Sequence, residues 1–198
     1  MSDSEHDFGR VYAEYQPRIR RYVARMVGEH DAEDLTQTVF FKVSQALKEF
    51  RGESSLSTWI YRIAANAVAD WMGSPSVRRT VQWVPLEDPC DGDLAEHVTE
   101  EHGGLPLADQ ALVRREMNRC IRQVVEGLPE HYRAVIALSE FDGLKNAEIA
   151  ETLGVSVDNV KIRLHRARGM LRRAMENSCD LYRDERIGLA CDAKACSE

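Results

Sequence analysis

A stretch of chain without a single Lys or Arg divides this sequence into two parts. It runs from Thr80 to Val113, and acidic residues and helix breakers accumulate within it. They are Glu87, Asp88, Asp91, Asp93, Glu96, Glu100, Glu101 and Asp109, together with Pro85, Pro89, Pro106, Gly103 and Gly104. Charged linkers extend by self-repulsion, and Pro and Gly interrupt regular structure. The sequence therefore predicts two modules joined by an acidic tether.

Both flanking parts repeat apolar residues every three to four positions, the spacing of one helical face. In the N-terminal part this spacing predicts three helices. The apolar residues of the first are Phe8, Val11, Tyr12, Tyr15, Ile19, Tyr22, Val23 and Met26. Those of the second are Leu35, Val39, Val43, Leu47 and Phe50, and those of the third are Ile60, Ile63, Ala64, Ala67 and Trp71. We expect Asp31 to cap the second helix and Ser57 the third. The spacing returns after the tether with Met117, Ile121, Val124 and Leu128. Because no strand-like alternation of useful length occurs, the predicted fold class is all-α, with two small helical domains.

The segment "EIAETLGVSVDNVKIRL" has the pattern of a helix-turn-helix. Ala150 is small where two helices must approach closely, and Gly154 suits a turn that needs a positive φ. Ser156 is predicted to cap the second helix, with Asp158 favourable in its first turn. The apolar stripe of that helix is predicted to contain Val160, Leu164, Ala167 and Leu171.

Positive charge is concentrated in this second helix, although the chain as a whole has a formal net charge of -7. The basic residues are Lys161, Arg163, Arg166, Arg168, Arg172 and Arg173. A solvated helix face is the simplest explanation of such a run. The lack of acids between Asp158 and Arg173, and the glycine turn just upstream, favour a helix that docks in the major groove of DNA.

Other classes of protein find little support in the sequence. No apolar run reaches the roughly 18 to 20 residues that cross a bilayer, and the polar N-terminus is not that of a secretory signal, so we expect a cytoplasmic protein without membrane insertion. Five cysteines, an odd number, argue against a disulfide framework. The sequence contains no glycine-rich phosphate loop and no HExxH zinc helix, so we expect no enzymatic activity.

Two longer segments resemble one known family in both order and spacing. "DAEDLTQTVFFKVSQALKEFRGESSLSTWIYRIAANAVADW" resembles region 2 of the extracytoplasmic-function sigma factors, and "LPEHYRAVIALSEFDGLKNAEIAETLGVSVDNVKIRLHRARGMLRRAM" resembles their region 4. The resemblance implies four parts: region 2 at 1–79, the acidic linker at 80–113, region 4 at 114–176 with its helix-turn-helix at about 146–165, and a cysteine-containing tail at 177–198. It also implies a function: binding of RNA polymerase core and promoter-specific initiation in a stress or environmental response.

The resemblance implies two sets of DNA-binding residues. For the minus-ten element of promoter DNA they are Ser55, Ser57, Tyr61, Arg62, Asn66, Arg78 and Arg79, around a pocket for an extruded base. For the minus-thirty-five element they are Lys161, Ile162, Arg163, His165, Arg166 and Arg168. Trp59 is expected in the core, and the choice for Tyr61 between base stacking and core stays open. Ile162 departs from the small polar residue usual in the family, and Lys145 stands where a Ser cap is usual.

The resemblance also implies contacts with proteins. Asp34, Leu35, Gln37 and Phe40 match the positions that dock on the clamp helices of the polymerase β′ subunit, although Leu35 equally fits the core stripe of its own helix. The acidic linker would follow the polymerase toward the RNA exit path, or would act only as a solvated spacer. Most members of the family are held by a separate anti-sigma factor, which is therefore an expected partner.

The tail suggests a different form of control. It contains Cys179, Cys191 and Cys196, three soft ligands that would close around Zn or Cu(I), with His165 as a candidate fourth ligand. Their spacing does not match a CxxC zinc knuckle, and a frayed terminus explains the tail equally well. We therefore expect no constitutive cofactor.

One alternative function belongs to another class of protein. A stand-alone helix-turn-helix regulator would bind duplex DNA by itself and use the N-terminal module for an effector or for dimerisation. The two readings differ in whether the N-terminal half binds polymerase core. An adaptor that binds only proteins would leave the basic helix unexplained.

Overall fold

The computed structural model describes residues 7–73, 121–184 and 188–193, with side chains within 7–73 and 121–177. The acidic linker, Arg78, Arg79 and Cys196 lie outside the described residues. Residues 7–73 and 130–166 belong to one compact unit, and the other described residues belong to a second.

Three helices form the N-terminal part of the first unit. They are α1 (Phe8–Val27), α2 (Glu29–Ala46), which continues into a 3-10 turn (Leu47–Glu49), and α3 (Leu56–Gly73). The three helices pack against one another, and their shared core contains the fully buried side chains of Ile19, Val23, Val39, Val43, Ile60 and Ala64. Burying one Val or Ile side chain contributes roughly 1.5 to 3 kcal/mol. Most of the apolar residues predicted from the sequence lie in this core. Phe8 and Tyr12 were predicted on the same face but are exposed, and Phe50, Ile63 and Trp71 are only half-buried.

The start of α2 differs from the prediction. Gly28 adopts φ +90° and donates its N–H to the Ala24 carbonyl oxygen at 2.9 Å, so the chain reverses directly after α1. As a result α2 begins at Glu29, and Asp31 lies inside its first turn. The prediction that Asp31 caps the helix was wrong. An ordinary L side chain rarely adopts this φ, which explains how one glycine replaces a longer connection.

The cap of α3 also lies elsewhere than predicted. The Ser55 hydroxyl oxygen accepts a 3.0 Å hydrogen bond from the Thr58 N–H, and lies 2.7 Å from the Thr58 hydroxyl. Ser55 is therefore the N-cap, and Ser57 lies half-buried in the first helical turn. Ser55 and Ser57 both suit the N-cap position by residue type. Only the path of the backbone determines which of them caps the helix.

The C-terminal part of the first unit is also helical. It contains α4 (Glu130–Ile136), a π-helical turn (Ala137–Phe141), α5 (Asn146–Leu153) and the first residues of α6 (Val157–Ser178). In the π turn the Asp142 N–H donates to the Ala137 carbonyl oxygen at 3.1 Å, which accommodates one more residue than an α-helical turn. α4 and the π turn pack against α1, and α5 packs against α3.

The second unit contains helical residues 121–126, the C-terminal part of α6 and a hairpin. The hairpin pairs β1 (Cys179–Asp184) with β2 (Gly188–Ala193) in antiparallel register, with Leu181 opposite Cys191. The all-α fold class is confirmed for the helical domains. The sequence pattern does not predict this hairpin, because its strands lack a clear alternation of apolar and polar residues.

Candidate nucleic-acid interface

The turn before α6 has the geometry that the helix-turn-helix pattern predicts. Gly154 ends α5 in the left-handed region, at φ +64°, and the Val155 N–H donates to the Ala150 carbonyl oxygen at 3.0 Å. The Ser156 hydroxyl oxygen accepts a 3.2 Å hydrogen bond from the Asn159 N–H, which confirms Ser156 as the cap of α6. The turn and the cap together fix the direction in which α6 leaves α5.

The first helix of the motif has an unusual cap. Lys145 occupies the N-cap position, where its side chain can offer no hydrogen-bond acceptor to the helix. The Glu148 carboxylate accepts a 2.8 Å hydrogen bond from the Lys145 N–H. A capping box needs two hydrogen bonds, and only the one that the Glu148 carboxylate accepts can form at this helix end.

One face of α6 is buried and the other is open. Val160, Leu164, Ala167 and Met170 are buried, so Met170 takes the place predicted for Leu171. The exposed side chains on the opposite face are those of Lys161, Ile162, His165, Arg166 and Arg168, and Arg163 is half-buried. Lys161 pairs with Asp158 at 3.1 Å across one turn. Ile162 is 54% exposed, which leaves an apolar group among cations.

A small cavity lies where the loop after α2 meets α3. Its volume is about 190 Å³, and it is lined by Glu49, Phe50, Arg51, Glu53, Ser54, Trp59 and Arg62. The rings of Phe50 and Trp59 lie 5.1 Å apart between centroids. Trp59 is only half-buried and lines the cavity, so the expectation of a wholly core position for it was wrong. Aromatic rings beside an arginine form a site that suits a single extruded base.

Asn66 lies on the same helix, in a shallower groove. Lys42, Ala46, Ile63, Ala69 and Asp70 line this groove with Asn66, and its volume is about 450 Å³. Lys42 pairs with Asp70 across it at 3.5 Å. Since Arg62 and Asn66 are four residues apart, they lie on neighbouring turns of one helical face. The structure therefore places Arg62 and Asn66 on one side of α3.

Tyr61 is placed differently. Its side chain is fully buried, and its ring meets the Tyr22 ring edge to face with centroids 5.8 Å apart. Burial raises the pKa of the Tyr61 hydroxyl above its ordinary value of 10.0, and the neighbouring Asp142 carboxylate raises it further. The Tyr61 hydroxyl and the Asp142 carboxyl face each other in this contact. In this arrangement Tyr61 is a core residue at the contact between α3 and the π turn.

The outer face of α2 exposes an aromatic residue that was not among the predicted contacts. Asp34 and Gln37 are exposed as expected, whereas Leu35 and Phe40 are buried at 7% and 3% exposure. Phe40 packs edge to face on Tyr12, with centroids 4.9 Å apart. Phe41 is 63% exposed and lies on the face of Asp34 and Gln37. The signal was available in the sequence, because Val39 and Val43 already place Phe40 on the buried side.

The hairpin contains Cys179 and Cys191, and its backbone register places Cys179 opposite Ala193. Within the described residues, no group of three or more His, Cys, Asp or Glu side chains is arranged to hold a metal ion. In the part of the chain that the structure describes, no helix is long and apolar enough to span a bilayer.

Comparison with known proteins matches both halves of the chain to one family. The sequence model described as "Sigma-70 region 2" matches residues 11–75, and that described as "Sigma-70, region 4" matches residues 118–171. The chain is 32% identical over 165 residues to the ECF RNA polymerase sigma-E factor of Escherichia coli (strain K12), a match that covers 81% of this chain and 82% of that protein. It is 28% identical over 189 residues to the RNA polymerase sigma factor SigZ of Bacillus subtilis (strain 168), covering 95% and 97%.

Two solved structures share the fold. CnrH, solved in complex with the cytosolic domain of CnrY, has a TM-score of 0.61 and 22% identity, over 89% of this chain and 92% of that one. The sigma factor RpoE of Bartonella quintana, solved in complex with the anti-sigma factor NepR, has a TM-score of 0.61 and 21% identity, over 86% and 97%. At this level of identity these matches concern the fold alone.

Proposed function

Because this chain belongs to the extracytoplasmic-function sigma factor family, which binds RNA polymerase and directs transcription initiation, we propose that it reads its promoter at two separate sites. α6 reads the minus-thirty-five element as a duplex, and α3 with its preceding loop reads the minus-ten element as a single strand. The observation that carries the proposal is the two-sided character of α6, which buries one apolar face behind a glycine turn and exposes a basic face.

On α6, the exposed side chains divide into two roles. Lys161, His165 and Arg166 offer hydrogen-bond donors to base edges in the major groove, and Ile162 offers an apolar contact of the kind that a thymine methyl group accepts. Arg163 and Arg168 lie nearer the phosphates, where they position the helix without reading sequence. Lys161 must exchange its contact with Asp158 for DNA, and an exposed pair of this kind is weak enough to allow that exchange.

On α3, the cavity supplies the site for a flipped base. Phe50 and Trp59 offer ring faces, and Arg62 offers a guanidinium both for stacking and for a phosphate. Asn66 lies along the same face and would contact the strand that leaves the cavity. We also assign phosphate contacts to Arg78 and Arg79, which lie outside the described residues. Ser55 and Ser57 are assigned the role of shaping the loop.

We assign the contact with RNA polymerase core to the exposed face of α2. Asp34, Gln37 and Phe41 form this face, with Leu35 and Phe40 as the buried residues beneath it. An exposed aromatic ring flanked by polar groups is typical of the anchors that dominate protein interfaces. Phe41 thus takes the role that the sequence resemblance gave to Phe40.

The remaining features of the proposal follow the family. Region 2 comprises 1–79, the acidic linker 80–113, region 4 114–176 and the tail 177–198. The chain acts in the cytoplasm, catalyses no reaction and takes part in a stress or environmental response. CnrH and the Bartonella quintana RpoE were solved with the cytosolic domain of CnrY and with the anti-sigma factor NepR, which supports an anti-sigma factor as the regulator here.

In vitro transcription tests these assignments. Core polymerase with this chain is supplied with a library of genomic upstream fragments, and the promoters found are used to assay Lys161→Ala, Arg166→Ala and Asn66→Ala. The first two are expected to lower initiation roughly 5- to 150-fold, because a base contact is worth about 1 to 3 kcal/mol. Asn66→Ala is expected to remove permanganate-reactive thymines instead. Arg173→Ala, an exposed cation further along α6, is the matched control.

Two results would contradict the proposal. If all three variants lost core binding equally, the roles assigned to α3 and α6 would be wrong. Tight sequence-specific binding of the free chain to duplex promoter DNA would favour the stand-alone regulator, because region 4 alone offers few phosphate contacts and the acidic bulk of the chain opposes binding.

A further inference from the structure

Ile162 lies in the middle of the exposed side of α6. Its side chain is 54% exposed, whereas Val160 and Leu164, two residues away in either direction, are buried. Since each residue turns an α-helix by about 100°, Ile162 lies about 200° around the helix from both of these buried neighbours. Its side chain therefore points directly away from the apolar stripe of α6.

The residues one turn away from Ile162 on this side of the helix are charged. Asp158 precedes Ile162 by four residues, and its carboxylate pairs with Lys161 at 3.1 Å. Arg166 follows Ile162 by four residues and is exposed. Side chains four residues apart are neighbours on a helix surface, so Ile162 is an apolar group between a carboxylate and a guanidinium. Single exposed apolar residues are common on protein surfaces, and the informative observation is therefore this central position.

The chemistry of isoleucine restricts what Ile162 recognises on DNA. Its side chain neither donates nor accepts a hydrogen bond, so it would leave the polar groups of a facing adenine, guanine or cytosine edge without water and without a partner. The apolar group that a base presents in the major groove is the C5-methyl group of thymine. Ile is branched at Cβ and holds one strongly preferred rotamer in a helix, so contact with a methyl group costs little side-chain entropy.

Ile162 and Arg166 face different base pairs. Four residues rise about 6 Å along a helix, which exceeds the roughly 3.4 Å between successive base pairs. The base pair that faces Ile162 is therefore recognised separately from the one that faces Arg166. Lys161, which precedes Ile162, offers only hydrogen-bond donors, and these suit the O4 acceptor of thymine rather than the amino group of cytosine.

We propose that Ile162 makes the minus-thirty-five element of this chain depend on the C5-methyl group of one thymine. This inference rests on the promoter role proposed above for α6 and makes it specific. Arg166 recognises hydrogen-bond acceptors, and Ile162 recognises a methyl group on another base pair. A promoter that lacks this methyl group is bound less well, although every hydrogen bond to Arg166 remains possible.

Replacement of thymine by uracil tests the contact, because deoxyuridine lacks only the C5-methyl group. A promoter selected with core polymerase and the full chain is synthesised with each thymine of the minus-thirty-five element, on either strand, replaced in turn. Initiation is measured with the parent chain, Ile162→Ser and Ile162→Val. Val157→Ser, at an exposed apolar residue in the first turn of α6, is the matched control.

For the parent, we expect uracil at one thymine to lower initiation about fourfold, the effect of losing one buried methyl-sized group. Ile162→Ser is expected to abolish this dependence, Ile162→Val to keep most of it, and Val157→Ser to leave it unchanged. Because the base and the side chain are changed separately and together, the comparison isolates their contact. The proposal is overturned if no thymine shows a loss that Ile162→Ser removes, or if the selected element contains no thymine on either strand.

The base that supplies the methyl group is tested at the same position. Cytosine and 5-methylcytosine, each paired with guanine, replace the thymine. With the parent chain, 5-methylcytosine is expected to support more initiation than cytosine and less than thymine. Equal initiation from cytosine and 5-methylcytosine would show that the methyl group is not recognised. More initiation from 5-methylcytosine than from thymine would overturn thymine as its source.

Arg166→Ala on the same templates separates this inference from the proposed function. If Arg166→Ala lowers initiation but loss of the methyl group has no effect that depends on Ile162, the promoter role of α6 stands and the inference fails. If Arg166→Ala and Lys161→Ala leave initiation unchanged while the effect of uracil persists in the parent and is lost in Ile162→Ser, recognition of the methyl group stands and the contacts assigned to the two cations fail.

Discussion

The Arg133 guanidinium donates a 3.0 Å hydrogen bond to the main-chain carbonyl oxygen of Met26, a residue 107 positions earlier in the chain. Met26 lies in the last turn of α1, where carbonyl oxygens have no partner within the helix. The positive charge of Arg133 also meets the negative end of the helix dipole. A side chain of α4 therefore completes the C-terminus of α1.

Replacing Arg133 by Met is expected to destabilise the first unit. The change keeps an unbranched apolar side chain but removes the donor, and a hydrogen bond to a charged group contributes about 1.5 to 3 kcal/mol. Urea unfolding followed by circular dichroism should show a lower midpoint. Arg122→Met, at an exposed position, is the control. Equal midpoints for the two variants would show that the contact contributes no stability.

Replacing Lys145 by Ser is expected to stabilise the helix-turn-helix. Ser would accept a hydrogen bond from the Glu148 N–H, while the Glu148 carboxylate keeps its 2.8 Å bond to the main-chain N–H of residue 145. A Ser, Thr or Asn cap is typically worth about 1 kcal/mol over Ala. Lys145→Ala provides the comparison. The prediction fails if thermal unfolding gives the same midpoint for Ser and Ala at this position.

Asp142 is expected to make the stability of the first unit depend on pH. Burial raises the pKa of the Asp142 carboxyl above its ordinary value of 3.8. The neighbouring groups that pull this pKa back down are Arg25, Tyr61, Arg18 and Arg21. The folded state therefore binds the proton more tightly than the unfolded state, so this stabilisation is complete below pH 3.8 and is lost as the pH rises through the raised pKa.

The variant Asp142→Asn is expected to remove that dependence and to stabilise the chain at neutral pH, because the amide has no charge to desolvate. Urea midpoints of the parent and the variant should diverge as the pH is raised from about 4 to about 7. Glu126→Gln, at an exposed carboxyl, serves as the control. If Asp142→Asn is less stable than the parent at neutral pH, the attraction of the three arginines outweighs the cost of burial.

Substitution of Phe40 is expected to lower the stability of the chain, whereas substitution of Phe41 is expected to weaken its binding to polymerase. Phe40→Ala removes a buried ring and should cost about 3 to 5 kcal/mol in the free energy of unfolding. Phe41→Ala should change stability by no more than about 0.5 kcal/mol. It should weaken binding of core polymerase at least about fivefold, because truncation of an aromatic anchor costs on the order of 1 kcal/mol or more.

Fluorescence anisotropy with labelled chain and core polymerase measures the binding, and urea unfolding measures the stability. Glu126→Ala, at an exposed position outside the first unit, controls for changes to the protein surface. Unchanged binding by Phe41→Ala would remove this residue from the polymerase contact.

Local chemistry in the sequence predicted local structure well. Gly154 and Ser156 act as the pattern requires, because the turn and the cap depend only on residues within a few positions. Errors arose where neighbours of equal chemistry competed. Ser55 caps α3 in place of Ser57, and Phe41 is exposed where Phe40 was expected to reach a partner. In both cases a shift of one or two residues changes the direction of a side chain around the helix.

Contacts between distant parts of the chain could not be predicted. Nothing near Arg133 in the sequence indicates that its partner is the carbonyl oxygen of Met26, and nothing near Tyr61 indicates Asp142. Such pairs follow from how α4, the π turn and α5 pack on α1 and α3. The resemblance to a known family supplied roles for residues but gave no account of this packing.

The hydrogen bonds from Arg133 to Met26 and from Arg18 to Asp142 join residues that are 107 and 124 positions apart in the chain. Each of them closes a long loop, and the entropic cost of that closure grows only with the logarithm of the loop length. Contacts between residues so far apart lower the rate of folding more than they lower stability. The first unit is therefore expected to fold more slowly than a three-helix bundle, in which the contacts are local.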